Sequence, residues 1–199
     1  MQQTPLTIHE IFKSIQSDNR EAFNRLFREK YASLVGFAKN YLFDTGKAEE
    51  VVADVFVAIW TKRDKLHTVE NPETYLFVAV KNRCFNALRT VSRTISMDEY
   101  YEKDTGGSEN PLSEMEQEEL SQKLHAVIHA LPEQQRLIFN MIKENGLTAK
   151  QTADILQLSP RTVETHIYKA IKQLEKEITA YLGYSPKKRQ MGKILAVCF

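Results

Sequence analysis

The 199-residue chain lacks most features that mark secreted proteins, membrane proteins and disulfide-rich scaffolds. Its 2 cysteines, Cys84 and Cys198, are too few and too far apart for a disulfide framework or a zinc site, which favours a reducing, cytoplasmic location. The longest apolar runs reach about ten residues, whereas a membrane span needs roughly 20. Residues 1–7 carry no basic patch followed by an apolar segment, so we expect no signal peptide.

Motifs of catalysis are also absent. The 7 glycines form no phosphate-binding loop, and no Ser/His/Asp or Cys/His motif occurs. His125 and His129 have the i, i+4 spacing of a metal pair, but no third ligand is near them in the sequence, and surface histidines are the simpler interpretation. We therefore expect no metal, no cofactor and no enzymatic activity. Cys84 is predicted to lie in or near a helical core.

Because no segment alternates polar and apolar residues as a strand does, the predicted fold is all-α. Apolar spacing predicts one long helix over residues 23–42, a second over about 47–62 and a third over 72–89. Four shorter helices follow after residue 123, and Asn145-Gly146 is a good C-terminal cap for the second of them.

The net charge of +1 hides a strong division along the chain. Residues 97–122 hold nine acidic residues and one basic residue, a net charge of −8, together with Gly106-Gly107 and Pro111. The flanking parts carry +3 and +6, so two basic domains flank a flexible acidic linker. The predicted divisions are a first domain over 5–92, the linker over 93–122, a second domain over 123–183 and a tail over 184–199 whose role stays open.

The second domain ends in a predicted helix-turn-helix. Small Ala153 precedes a turn at Gln157-Leu158-Ser159, and Ser159-Pro160 supplies an N-cap and a first-turn proline. Arginine and threonine at the start of the last helix suit base edges in a major groove, and lysines suit phosphates. The alternative is an ordinary helical hairpin with a solvated basic face. The residues expected to face inward are Val163, Ile167, Ala170, Ile171 and Leu174.

Three runs of this domain, 131–139, 146–156 and 159–166, resemble the C-terminal domain of extracytoplasmic-function sigma factors of bacterial RNA polymerase. In that family the domain recognises the minus-thirty-five promoter element. The Ser159-to-His166 run is equally similar to the helix-turn-helix of LuxR-type regulators, which bind duplex DNA as dimers without acting as a polymerase subunit. The resemblance implies a minus-thirty-five DNA set of Thr148, Arg161, Thr162, Thr165, Tyr168, Lys169 and Lys172.

The first domain favours the sigma-factor interpretation. Residues 49–60 resemble the sigma segment that binds the clamp of the largest polymerase subunit, and residues 72–83 resemble the segment that melts and recognises the minus-ten element. The resemblance extends to the iron-citrate-type subgroup common in Bacteroidetes. It implies a transcription initiation factor whose partners are core RNA polymerase (the clamp and the flap of the second-largest subunit), promoter DNA and an anti-sigma factor, with no small-molecule substrate.

The clamp-binding segment is predicted to be a two-faced helix. Val52, Val55, Phe56 and Ile59 form the stripe that its own domain would bury, and Trp60 is expected in the core by the same argument. An apolar valine beside an acidic aspartate on the opposite row suits a basic helical partner. The alternative is a helix buried on both sides. The core-polymerase-binding row is Glu50, Asp54, Val57, Ala58 and Thr61.

The third helix brings cations, amides and aromatics together, a set that suits phosphates and unpaired bases. The polar segment before it, 63–71, is the predicted pocket for a flipped base, since a loop can wrap an extruded nucleotide. Lys81 and Arg83 supply neighbouring cations. The minus-ten DNA set is Arg63, Asn71, Tyr75, Lys81, Asn82, Phe85, Asn86 and Arg89.

The acidic linker has two interpretations. A solvated spacer is the simpler one. In the other, the linker mimics nucleic acid and covers the basic DNA-binding faces of the free protein, or threads the positively charged polymerase channel.

Overall fold

The computed structural model describes residues 6–42, 44–91 and 122–184, and these form helices without any strand. The predicted all-α class is therefore confirmed. The contacts divide the chain into two compact units. The predicted linker, apart from its last residue, and residues 185–199 of the tail, with Cys198, lie outside the described residues.

The described part of the first unit forms four α-helices and one 3-10 helix. They are α1 (Ile8–Gln16), α2 (Arg20–Ala38), α3 (Thr45–Thr61), the 3-10 helix Arg63–Thr68, and α4 (Pro72–Val91). Residues 122–184 of the second unit form four helices, as expected. They are α5 (residues 122–129), α6 (Glu133–Lys143), α7 (Ala149–Leu156) and α8 (Pro160–Leu182).

Side-chain caps explain where the helices of the first unit begin. Asn19 Oδ1 accepts the Ala22 N–H at 3.0 Å, and Asp44 Oδ1 accepts the Lys47 N–H at 3.2 Å. Thr7 and Glu10 form a reciprocal capping box, and the bond from the Thr7 N–H lowers the pKa of Glu10. Each cap satisfies a backbone donor that would otherwise lack a helical partner.

The long helix predicted over 23–42 begins earlier and ends earlier than expected. It ends at Ala38, and Tyr41 and Leu42 lie in the turns that follow. The Asn40 side chain donates to the carbonyls of Gly36 and Phe37 at 2.9 and 3.1 Å, which terminates the last turn. Leu42 is buried although it lies after the helix, so the apolar spacing extends past the last helical residue and predicted too long a helix.

Two elements of the first unit have no counterpart in the prediction. Helix α1 buries Ile11, Phe12 and Ile15, and it packs on α2, α4 and the 3-10 helix. The segment predicted to be a polar loop contains the 3-10 helix, which buries Leu66. The pattern of α1 was present but overlooked: Ile8, Ile11, Phe12 and Ile15 have helical spacing and follow the Thr7 to Glu10 capping box. The 3-10 helix has one buried apolar side chain, which gives no periodic pattern.

The second unit is built around α8. Leu131 and Phe139 join Ala170, Leu174 and Ile178 in one core cluster with the apolar residues of α5. A second cluster joins Ile138 of α6, Ala153 of α7 and Val163 of α8. These clusters bury one face of α8 and leave the other face in solvent, as the sequence predicted.

No helix in the described ranges is long and apolar enough to cross a membrane. His125 and His129 are both exposed, and the described residues contain no group of three side chains suited to a metal ion. Cys84 is fully buried, as predicted, and burial raises the pKa of its thiol to about 11.

The cap of α3 gives a stability prediction. Asp44→Ala should lower the free energy of unfolding of the first unit by about 1 kcal/mol, because the Lys47 N–H loses its acceptor. Trp60, the single tryptophan, lies at the end of this helix, so its fluorescence in a urea titration reports on this unit. Glu49→Ala removes an exposed carboxylate from the same helix and should change the value by less than about 0.5 kcal/mol. Equal losses in both variants would contradict the cap.

Candidate nucleic-acid and protein interfaces

The predicted two-faced helix is α3. Its predicted apolar stripe is buried, and Ala48 and Val51 extend it. The opposite row is exposed except for Ala58, which is half-buried, and Val57 is 63% exposed. The alternative of a helix buried on both sides is therefore wrong for the described unit. Glu50, Asp54, Val57, Ala58 and Thr61 lie on one available surface, here called the docking row.

Trp60 is only half-buried, so its predicted place in the core is correct in part. Its ring lies 5.2 Å from that of Phe23, within an aromatic cluster that continues through Phe56, Phe27 and Tyr31. Aromatic packing of this kind fixes the end of α3 against α2.

Arg63 was predicted to contact DNA, which stays a prediction, and in the structure its partly exposed side chain also makes contacts inside the protein. The guanidinium lies 4.7 Å from the centre of the Trp60 ring, and Nη1 donates to the Trp60 carbonyl at 2.8 Å. Nε pairs with Asp18, a residue with a left-handed φ of 64° in the turn between α1 and α2. Arg63 therefore ties the 3-10 helix to α3 and to that turn.

Most of the predicted minus-ten set lies on one face of α4. Steps of three, four and seven residues place Tyr75, Asn82, Phe85, Asn86 and Arg89 side by side, and all five are exposed. Phe85 is 45% exposed although its ring packs edge-on against Tyr41, with 5.5 Å between the ring centres. We call this surface the α4 face.

Two members of the set differ from expectation. Lys81 is only 9% exposed because it follows the buried stripe of Phe77 and Cys84, and its Nζ lies 6.0 Å from the centre of the Phe85 ring. Burial lowers its pKa. Lys81 is therefore largely buried in the described unit, and its role in the minus-ten set stays a prediction. Asn71 is exposed, but its Oδ1 accepts the Thr74 N–H at 3.0 Å and caps α4.

One ion pair joins the two surfaces of the first unit. Arg83 Nη1 of α4 lies 2.5 Å from Asp54 Oδ2 of α3. The arginine side chain is 39% exposed and the aspartate side chain 58% exposed. Sequence spacing gave no indication of this contact, because 29 residues separate the partners.

The helix-turn-helix is formed by α7 and α8. Thr148 and Gln151 make a capping box for α7, so the threonine predicted to contact DNA also begins this helix. Gln157 adopts φ 59° in the turn, and the Leu158 N–H donates to the Ala153 carbonyl at 2.9 Å. Ser159 Oγ accepts the Thr162 N–H at 3.1 Å and caps α8.

The outer side of α8 carries the predicted minus-thirty-five set apart from Thr148, which caps α7. Arg161, Thr165, Tyr168, Lys169 and Lys172 are exposed, and we call them the α8 face. Tyr168 is 60% exposed, and Lys172 Nζ lies 5.5 Å from the centre of its ring. Thr162 is half-buried, with its hydroxyl 2.8 Å from that of Ser159.

Sequence reasoning missed one cation of this face. Lys176 is exposed and lies one helical turn after Lys172. The sequence could have predicted this lysine, since residues 169, 172 and 176 are three and four positions apart and form one row of basic side chains on the helix.

Two family models match the chain. Sigma-70 region 2 matches residues 26–94, and Sigma-70, region 4 matches residues 121–174. Together the two ranges cover more than half of the chain, in the order that the sequence predicted.

Known relatives match over most of their length. The ECF RNA polymerase sigma-E factor of Escherichia coli (strain K12) is 26% identical over 185 residues, covering 87% of this chain and 95% of the relative. The RNA polymerase sigma-H factor of Pseudomonas aeruginosa is 21% identical over 182 residues, covering 87% and 94%.

Solved structures share the fold. The sigma factor RpoE, in complex with the anti-sigma factor NepR from Bartonella quintana, has a TM-score of 0.54 at 18% identity, covering 79% of this chain and 96% of that one. CnrH, in complex with the cytosolic domain of CnrY, has a TM-score of 0.50 at 20% identity, covering 86% and 97%.

A helix-turn-helix unit preceded by a helical unit with a sigma-70 region 2 match defines a promoter-recognition subunit of RNA polymerase. The chain belongs to the sigma-70 family, in its extracytoplasmic-function group. It directs the polymerase to promoters, and the LuxR alternative is wrong. Membership of the iron-citrate-type subgroup stays a prediction.

The internal contacts of Arg63 give a test of its placement. Arg63→Gln should lower the free energy of unfolding of the first unit by about 1 kcal/mol, because the pair with Asp18 and the contact with the Trp60 ring are lost. The measurement is a urea titration followed by Trp60 fluorescence. Lys65→Gln, an exposed cation of the same 3-10 helix, is the control and should leave stability unchanged. If Arg63 served DNA alone, the two variants would behave alike.

Proposed function

We propose that the protein works through three separate surfaces: the docking row on α3, the α4 face and the α8 face. The docking row binds core polymerase, the α4 face recognises the minus-ten element, and the α8 face recognises the minus-thirty-five element. The observation that carries this proposal is the exposed Val57 beside Asp54 on a helix whose other side is fully packed. The protein acts by binding, without bond-making chemistry of its own.

The composition of the docking row suits a basic helical partner. Glu50 and Asp54 supply two carboxylates one turn apart, and Val57 supplies an exposed apolar group beside them. Exposed apolar groups with flanking charge are typical of docking sites. The clamp of the largest polymerase subunit is the partner that the family resemblance implies, and the flap of the second-largest subunit is the partner implied for the second unit.

The α4 face suits melted DNA. Phe85 and Tyr75 offer rings on which unpaired bases can stack, and base–aromatic stacking contributes about 1 to 3 kcal/mol per base. Asn82 and Asn86 can exchange hydrogen bonds with base edges, and Arg89 can bind phosphate. Both rings also pack edge-on inside the unit, Tyr75 on Phe12 and Phe85 on Tyr41, so it is their exposed parts that are open to bases.

The α8 face suits a major groove. Arg161 and Thr165 lie in its first two turns, where a recognition helix contacts base edges. Lys169, Lys172 and Lys176 follow along the helix as phosphate-binding cations. We propose Lys176 as an addition to the minus-thirty-five set.

The remaining proposals rest on the family. An anti-sigma factor is the expected regulator, since two structural neighbours are complexes, one of them with the anti-sigma factor NepR. The location is cytoplasmic, where the polymerase is. The predicted domain boundaries at 5–92, 93–122, 123–183 and 184–199 stay part of this proposal, as does the choice between spacer and mimic for the acidic linker.

The docking row is tested by reversing its central charge. Asp54→Arg should weaken binding to core polymerase about 30-fold or more, because it places a cation against a basic partner. The measurement is a fluorescence titration of core polymerase with labelled full-length protein. Glu49→Arg makes the same charge change on a neighbouring exposed position outside the row and should bind normally. Normal binding by Asp54→Arg would place the core contact elsewhere.

The α8 face is tested by promoter discrimination. Arg161→Ala should cost about 1 to 3 kcal/mol on the native minus-thirty-five sequence and less on a substituted one, because a bidentate base contact is lost. Lys169→Ala should weaken binding uniformly across sequences and reduce the salt slope by about 1. Both are measured as holoenzyme affinity for matched promoter fragments. A uniform loss with Arg161→Ala would assign that arginine to phosphate.

A further inference from the structure

The ion pair between Asp54 and Arg83 joins surfaces that have different proposed partners. Asp54 is the central carboxylate of the docking row, and Arg83 belongs to the helix that carries the α4 face. The 2.5 Å contact between Nη1 and Oδ2 therefore links the polymerase-binding helix to the DNA-binding helix. A second cation, supplied by the polymerase, would meet a carboxylate that already has a partner.

The exposure of the pair makes its exchange inexpensive. The two side chains are 39% and 58% exposed, so solvent screens their attraction and the pair contributes little to stability. A large partner would exclude water from this surface, and a basic group of that partner would compete with Arg83 for the Asp54 carboxylate. Arg83 would then lose its contact without any cost to the packing of α3 on α4.

The position of Arg83 on α4 determines which groups its guanidinium can contact once it no longer pairs with Asp54. Arg83 is adjacent to Asn82 in the chain and one helical turn before Asn86, and both amides belong to the α4 face. A guanidinium binds phosphate through a planar fork of donors, which makes arginine well suited to nucleic acid. The side chain therefore has a second site within reach beside the proposed DNA-binding residues.

We propose that Arg83 exchanges partners during initiation: it pairs with Asp54 in the free protein and with promoter phosphate once the polymerase has taken Asp54. This inference rests on the proposed docking row and α4 face. The exchange couples the two binding events, since polymerase docking releases a cation for DNA and DNA binding frees the docking carboxylate. Such coupling is reciprocal in free energy, so each partner strengthens the binding of the other.

The test compares Arg83→Gln with the unmodified full-length protein in two titrations. Without DNA, the variant should bind core polymerase about 2- to 5-fold more tightly, because Asp54 no longer has an internal competitor. The second titration uses holoenzyme and a promoter fragment identified from the transcripts that the unmodified protein directs. The variant holoenzyme should bind this fragment roughly 5- to 10-fold more weakly, with a salt slope reduced by about 1. The opposite signs in the two titrations are the signature of exchange.

Control variants separate exchange from other causes. Arg25→Gln removes an arginine that pairs with Glu29 on α2 and should alter neither titration. Arg83→Lys retains the charge without the fork and should fall between the unmodified protein and Arg83→Gln in both. Trp60 fluorescence during urea unfolding checks that each variant is folded. If Arg83→Gln does not fold, the same signs are required of Arg83→Lys.

Two results would overturn the proposal. Weaker core binding by Arg83→Gln would mean that Arg83 positions Asp54 instead of competing for it. Unchanged promoter affinity and salt slope would mean that Arg83 does not bind DNA. The Asp54→Arg titration decides the docking row separately: if that variant loses core binding while Arg83→Gln equals the unmodified protein in both titrations, the exchange fails and the docking row stands.

Discussion

The burial of one face of α3 is the constraint on which the first unit depends. Val52, Val55 and Ile59 enter the core, and Phe56 joins the aromatic cluster with Phe23 and Phe27. The opposite row of α3 is exposed apart from half-buried Ala58, because the 3.6-residue repeat turns it away from this core. The same packing fixes α4 alongside, so that Asp54 and Arg83 meet. The geometry of both proposed interfaces follows from one buried stripe.

The second unit uses the same constraint with a different result. The inner face of α8 is buried in two core clusters, to which it contributes Val163, Ala170 and Leu174. What remains outside is a row of arginine, threonine, tyrosine and lysine that begins at the capped end of the helix. A helix-turn-helix that packs in this way holds its recognition helix firmly while leaving the contact residues unpacked. The net charge of +1 conceals this basic face, because the acidic residues of 97–122 cancel it.

Local signals predicted much of this architecture. Apolar periodicity identified the buried stripe of α3 and the inner face of α8, and Ser159-Pro160 identified the start of α8. Features that depend on contacts between distant residues could not be predicted. The pairing of Arg63 with Asp18 and the burial of Lys81 are two of these, because only the packed structure determines them. Helix α1 was missed although Ile8, Ile11, Phe12 and Ile15 repeat at helical spacing, and it gains further stability from packing on α2 and α4.

The central claim is that this chain confers promoter recognition on RNA polymerase instead of binding DNA independently. The most direct measurement adds the purified full-length protein to sigma-free core polymerase with genomic DNA and sequences the transcripts. The account predicts transcripts with defined start sites, absent without the protein, whose upstream regions share two short elements. A folded protein that yields no specific transcript on any template, yet binds duplex DNA tightly without the polymerase, would contradict it.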